Sequence, residues 1–129
     1  MSDALADRPR VPWRTLAALA LVMAAILVPG DGIPRPPDPM HRDKLAHFCL
    51  FALLAVMAHA DLGLDSRKAA MLGFLAAAAL AVGTELLQLL VPHRSTEAAD
   101  AIADLAGYLC GWLARRPAVS LLTKANRRA

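Results

Sequence analysis

Four apolar segments divide this chain, and each approaches the length that a helix needs to cross a lipid bilayer. A helix rises about 1.5 Å per residue, so about 20 residues cross the hydrocarbon core. The segments run from Trp13 to Pro29, Lys44 to Ala60, Ala69 to Val91 and Ala98 to Leu113. With 57% hydrophobic and only 19% charged residues, the chain is too apolar for an ordinary soluble domain. The sequence therefore predicts an all-α protein, a four-helix transmembrane bundle that forms one domain over residues 1–129.

The distribution of lysine and arginine predicts how these helices are oriented. In a four-span arrangement, the amino-terminal segment, the Asp61–Lys68 turn and the basic tail at 115–129 share one side of the membrane. The opposite side carries only Arg35, Arg42, Lys44 and Arg94 of the 14 lysine and arginine residues. Because positive charge is enriched on the inner side, both termini are expected to be cytoplasmic. The net charge of +3 does not indicate nucleic-acid binding, since no base-stacking aromatic residues accompany the basic tails.

Polar side chains concentrate at the helix ends that face outward in this arrangement. Asp43 and His47 are four residues apart, so they share a helix face, as do Glu85 and Gln88 at a spacing of three. A charge at the bilayer centre costs about 2.5–3.5 kcal/mol on insertion scales, so charges retained near lipid usually serve a purpose. The outer helix ends are therefore the place to look for function.

Depth along the helices singles out Glu85. It lies about 10 Å inside the outer end of its helix, against about 5 Å for His47, so it is expected to be the deepest charge. An acid at that depth needs a partner, for which His47, Gln88, Asp104 and Arg94 are the candidates, or it is protonated. We predict one outward-opening ligand-binding site made of eight residues: Asp43, Lys44, His47, Glu85, Gln88, Arg94, Asp100 and Asp104.

Several of these residues also have purely structural interpretations. Asp43 and Asp100 suit the first turn of a helix, where a carboxylate caps backbone N–H groups. Lys44 can extend its charge to the membrane surface. Gly107 and Gly111 have the spacing of a helix-packing motif. These interpretations compete with binding for Asp43, Asp100 and Lys44.

The sequence predicts no metal site and leaves the cofactor unknown. One clear histidine with scattered carboxylates lacks the HExxH or CxxC spacing that is typical of zinc sites. A loosely held Mg²⁺ or Ca²⁺ would nevertheless find the oxygen ligands that it needs.

Four motifs resemble the VanZ-like family of bacterial membrane proteins. They are Asp43-Lys44-Leu45-Ala46-His47-Phe48 with Phe51, Gly83-Thr84-Glu85-Leu86-Leu87-Gln88, Arg94, and Asp100 with Asp104, Gly107 and Gly111. The resemblance covers roughly Asp43 to Gly111, and it departs at Asp104, where the family usually has asparagine. It implies a four-helix, multi-pass protein of the inner membrane, related to the accessory factor that raises resistance to teicoplanin-type glycopeptides. It implies no reaction, because the family has no assigned activity.

Three functions stay open from the sequence. The first is binding of a lipid head group or a lipid-linked envelope precursor, with Arg94 and Lys44 contacting phosphate. The second is an enzyme acting on such a lipid, with His47 or Glu85 as general acid or base or with metal-assisted chemistry. The third is a structural polar network or a proton-coupled carrier. The expected partners are membrane lipids and that precursor.

Overall fold

The chain forms an all-α structure. The computed structural model describes residues 11–27, 42–94 and 96–126. Within that part of the chain there are four helices and no strand, as predicted: α1 (Trp13–Leu27), α2 (Arg42–Leu62), α3 (Arg67–Gln88) and α4 (Ala98–Asn126). The predicted end of the first segment, Pro29, lies outside the described residues. The predicted fold class is confirmed at this level.

The fourth helix is longer than the sequence predicts. The apolar segment stops at Leu113, but α4 continues to Asn126 and contains Pro117. Arg115 lies inside this extension, where its guanidinium stacks 3.9 Å from the Trp112 ring centroid and donates a 2.6 Å hydrogen bond to the Trp112 carbonyl oxygen. The end of the hydrophobic stretch is therefore not the end of the helix, because alanine, leucine, lysine and arginine all favour helix.

A short turn reverses the chain between α2 and α3. Gly63 has a φ of 61°, a left-handed conformation that glycine adopts without steric cost. Ser66 then caps α3, because its hydroxyl oxygen accepts a 3.1 Å hydrogen bond from the backbone N–H of Ala69. The chain therefore reverses its direction between α2 and α3.

Two glycines let α2 and α4 pack backbone against backbone. A Cβ atom placed on Gly107 would collide with the backbone of Phe48, and one on Gly111 would collide with that of Ala52. Both pairs advance in the same direction along the chain, so α2 and α4 run parallel. This contact is the packing role expected of the small-residue motif, and it aligns the first turns of the two helices.

The polar residues lie inside the bundle and many large apolar residues lie outside. Buried polar side chains include Thr84, Gln88, Asp100 and Asp104. Exposed apolar side chains occur on every helix, among them Leu21, Leu45, Leu75, Val82, Leu86 and Ile102. Soluble proteins rarely expose so much contiguous apolar surface. The arrangement is typical of a protein whose outer surface contacts lipid.

Two of the helices are long and apolar enough to cross a membrane. These are α2 and α3, and only 33% and 17% of their most apolar 18-residue windows are buried, unlike the core helices of soluble proteins. Helix α1 is apolar but shorter, with 15 residues. α2 and α3 thus have the length and hydropathy that are typical of membrane-spanning helices.

Candidate functional site

A buried histidine and a buried aspartate form the centre of the site. His47, in the second turn of α2, has its Nδ1 atom 3.0 Å from Oδ1 of Asp104 in α4. Asp104 is 0% exposed, and its Oδ2 atom is buried with no hydrogen-bond partner among the described residues. The neighbouring contact of Gly107 with Phe48 brings the two helices close enough for this bond. We call the end of the bundle where α2 and α4 begin the polar end.

A lysine joins α2 to the start of α4. The Lys44 ammonium group donates to Oε2 of Glu97 at 2.6 Å and to Oδ1 of Asp100 at 3.2 Å. The Asp100 side chain is only 2% exposed, whereas that of Glu97 is 54% exposed. Lys44 therefore does more than mark the membrane surface, because it compensates a carboxylate that is removed from solvent.

Glu85 reaches from α3 to the beginning of α4. Its Oε2 atom accepts a 3.1 Å hydrogen bond from the backbone N–H of Glu97, and its Oε1 atom is buried without a partner among the described residues. The carboxylate interacts electrostatically with Asp100, His47 and Asp104. Glu85 thus belongs to the same polar network as the aspartates of α4.

The expectation that Glu85 is the deepest charge is wrong. Its carboxylate meets the N–H of Glu97, immediately before α4 begins. Asp104 lies seven residues further along the chain, which corresponds to about 10 Å of helix. The estimate took Pro92 as the outer end of the helix, whereas α3 ends at Gln88, only three residues beyond Glu85. Asp104 is the deeper carboxylate.

Arg94 connects the loop before α4 to α1 and α2. Its Nη2 atom donates a 3.1 Å hydrogen bond to the carbonyl oxygen of Ala25, and its Nη1 atom lies 3.6 Å from Oδ1 of Asp43. The preceding residue, His93, has a φ of 58°, which is uncommon for a residue other than glycine. This turn brings Arg94 back over the polar end.

A cavity of about 100 Å³ opens beside these groups. Its polar wall consists of Asp43, His47, Arg94 and Asp104, and its apolar wall of Val22, Ala25, Ile26, Ala46, Leu50 and Phe51. The cavity is smaller than the roughly 150 Å³ that admits benzene. It therefore suits a phosphate, an amino group or a hydroxyl-bearing end of a larger molecule.

Seven of the eight predicted site residues line the cavity or belong to the network beside it. Asp43, His47, Arg94 and Asp104 line the cavity, while Lys44, Glu85 and Asp100 form the adjoining network. Gln88 is buried in the last turn of α3, with 2% exposure, but it does not line the cavity. That these residues bind a ligand stays a prediction.

Sequence reasoning missed two contributions to the site. Glu97, Asp100 and Asp104 have the i, i+3, i+7 spacing of one helix face, so the pattern itself could have included Glu97. The second is the apolar wall that Val22 and Ile26 of α1 form. No sequence pattern distinguishes these two residues from the other apolar residues of α1. We use the name polar cluster for Asp43, Lys44, His47, Glu85, Arg94, Glu97, Asp100 and Asp104.

One protein family matches most of the chain. The VanZ/LLP1 family matches the chain over residues 10–119, which includes every member of the polar cluster. The chain belongs to the VanZ/LLP1 family. No curated protein and no solved structure matches it.

Proposed function

We propose that this protein spans the bacterial inner membrane four times, with both termini in the cytoplasm, and that it binds the head group of a lipid or lipid-linked envelope precursor at its outer face. The cavity at the polar end carries the proposal. One arginine, one histidine and two aspartates line a space of about 100 Å³ beside an apolar wall. A molecule with a small polar head and an apolar body fits such a surface.

The four-span topology is supported by the surface of the bundle and by its charges. α2 and α3 have the length and hydropathy of membrane spans. The acidic residues of α4, Asp100 and Asp104, are turned inward, while Ile102, Leu109 and Leu113 are exposed. An inward-facing acid in contact with partners is the usual form of a charge within a membrane.

Reporter fusions test the topology. A fusion at Ala129 should report the cytoplasm, and one inserted between Pro34 and Pro39 should report the outer side. An outer location of Ala129 would contradict the orientation, and the head-group site would then face the cytoplasm.

Arg94 is the residue expected to contact an anionic head group. It lines the cavity, and its guanidinium already lies beside a carbonyl oxygen and a carboxylate. A guanidinium can bind phosphate through two parallel hydrogen bonds. Lys44 is instead engaged with Glu97 and Asp100 and does not line the cavity. The sequence predicted that both Arg94 and Lys44 contact phosphate, and we now assign this role to Arg94 alone.

Retention of lipid through purification tests the binding. Purified protein analysed intact by mass spectrometry should carry a lipid adduct, and Arg94→Gln should lose it. Arg67→Gln is the matched control, since Arg67 is exposed at the other end of the bundle. Equal retention by wild-type protein and Arg94→Gln, with circular dichroism unchanged, would contradict the proposal.

The His47–Asp104 pair supports a second candidate, general-base catalysis on the bound lipid. A histidine held by a carboxylate at one ring nitrogen can accept a proton at the other. The buried hydroxyl of Thr84 does not line the cavity, and it donates a 2.7 Å hydrogen bond to the Ala81 carbonyl oxygen. Water would then be the nucleophile. Release of glycerol phosphate from phosphatidylglycerol vesicles, abolished by His47→Gln, would favour this candidate over binding alone.

A further inference from the structure

Three side chains of the polar cluster are close enough to share one metal ion. A ring nitrogen of His47 and one carboxylate oxygen each from Asp43 and Asp100 lie within 4.8 Å of one another. Two ligands of one ion are separated by at most twice the metal–ligand distance, about 4.2–4.8 Å for bonds of about 2.1–2.4 Å. The three donors satisfy this limit.

Asp104 supplies an independent reason to place a cation here. It is fully buried, it lines the same cavity as Asp43 and His47, and its Oδ2 atom has no hydrogen-bond partner among the described residues. An unpaired carboxylate oxygen removed from solvent is costly unless a cation or donor approaches it. A bound cation and its water ligands would meet that need.

The hydrogen bond between His47 and Asp104 has the form found around metal-bound histidines. Such ligands usually donate one ring N–H to a carboxylate, which fixes the ring and leaves the other nitrogen for the metal. Here Nδ1 of His47 faces Oδ1 of Asp104 at 3.0 Å. Nε2 is then the nitrogen that carries a lone pair for a ligand bond.

The charges of the polar end also favour a divalent cation. Among the described residues, five carboxylates (Asp43, Glu85, Glu97, Asp100 and Asp104) accompany three basic side chains (Arg42, Lys44 and Arg94). With His47 neutral, two formal negative charges remain. One divalent ion would balance them, which is a large effect where solvent is restricted.

We propose that Asp43, His47 and Asp100 bind a divalent transition-metal ion, with Asp104 orienting His47 from behind. One nitrogen and two carboxylate oxygens suit Mn²⁺ or Zn²⁺ better than Ca²⁺, which takes oxygen ligands. The proposal does not rest on the head-group function, because the metal can bind without a lipid ligand. It also goes beyond the sequence prediction, which assigned no metal.

Binding of Mn²⁺ to the full chain tests the proposal. The protein is treated with EDTA, placed in phosphatidylcholine nanodiscs and titrated with Mn²⁺, whose free form is measured by electron paramagnetic resonance. One ion per chain should bind, and spin-echo spectra should show coupling to a histidine nitrogen. Asp100→Asn and Asp43→Asn should each weaken binding at least tenfold, and His47→Gln should remove the nitrogen coupling.

Asp65→Asn provides the matched control. Asp65 is also an aspartate near a buried histidine, His59, but its side chain is 64% exposed. This variant should bind Mn²⁺ as the wild type does. No binding above that of empty nanodiscs, or binding without nitrogen coupling in the wild-type protein, would overturn the proposal even if the variants fold poorly. Lipid retention measured in EDTA stays a separate test of the head-group function.

Discussion

Each end of α2 holds a buried histidine near an aspartate, and the two pairs differ in the burial of the aspartate and in its distance from the histidine. His47 and His59 are equally buried, each with 8% exposure. The partner of His47, Asp104, has a fully buried side chain at 3.0 Å, whereas the partner of His59, Asp65, lies at 3.8 Å with 64% of its side chain exposed. The difference between the two ends therefore lies in the acid. A hydrated carboxylate lowers the stability of the fold very little, whereas a buried one is unfavourable unless it is paired or hydrogen-bonded.

The remaining polar contacts at the opposite end connect or complete helices. Oδ2 of Asp61 accepts hydrogen bonds from the backbone N–H of Thr15 at 2.8 Å and from its hydroxyl at 3.0 Å. This contact satisfies a backbone donor in the first turn of α1. At the polar end, Asp104 and Glu85 each have one carboxylate oxygen in a hydrogen bond. The other oxygen of each is buried without a partner among the described residues. The opposite end also has buried atoms without a partner among the described residues, but these are nitrogens, of His59, Trp112 and Arg115. Unpaired buried carboxylate oxygens are therefore the feature of the polar end, and a cation or a hydrogen-bond donor of a ligand would use them.

The largest effect is expected from Gly107→Ala, which breaks the contact that holds the polar end together. The new Cβ would collide with backbone atoms of Phe48, which cannot rotate away. We expect a loss of up to about 3 kcal/mol in the free energy of unfolding. Gly83→Ala is the control, because a Cβ there meets nothing within 4 Å and should gain about 0.5–1 kcal/mol. Thermal unfolding in detergent measures both, and equal effects would contradict the close packing.

The glycine contacts show how much of this fold could be predicted from sequence. Apolar segment lengths predicted all four helices, and the spacing of Gly107 and Gly111 predicted close packing. The extension of α4 beyond Leu113 could not be read from hydropathy, because helix propensity continues where hydrophobicity ends.

Asp104→Ala should cost about 2 kcal/mol, because it leaves the buried Nδ1 atom of His47 without its acceptor. Asp65→Ala should change the free energy of unfolding by less than about 0.5 kcal/mol, since the acid is exposed and lies beyond hydrogen-bond distance. Chemical denaturation of the two variants in the same detergent compares the two ends directly. A similar small change in both would mean that the burial of Asp104 has no energetic consequence.

Glu85→Gln should change stability less than Gly107→Ala or Asp104→Ala does. Glutamine keeps the volume of the side chain and an oxygen that can accept the hydrogen bond from the Glu97 N–H. We expect normal folding, a change below about 1 kcal/mol and loss of lipid retention, because the buried, unpaired Oε1 acceptor becomes an amide NH₂ group that cannot accept a hydrogen bond from the ligand. Loss of stability together with retention would indicate a structural group only. Unchanged retention would exclude Glu85 from the site.

The polar cluster itself was predictable only in part. Helical spacing brought Asp43 and His47, and Asp100 and Asp104, onto shared faces, and the structure joins those faces through the His47–Asp104 bond. The course of Arg94 toward Ala25 depends on the left-handed turn at His93. Histidine is enriched in this conformation, but most histidines do not adopt it, so the sequence does not fix the turn. Loop conformation and side-chain reach, rather than helix pattern, therefore decide the final shape of the site.

The most direct test of the central claim compares His47→Gln with His59→Gln. Both histidines lie on α2 and are equally buried, but only His47 lines the cavity. Lipid retained through purification is measured by intact mass spectrometry, with circular dichroism as the check on folding. Our account predicts that His47→Gln loses the lipid adduct and His59→Gln keeps it. Equal retention by both variants, or loss in His59→Gln alone, would contradict the assignment of the binding site to the polar end.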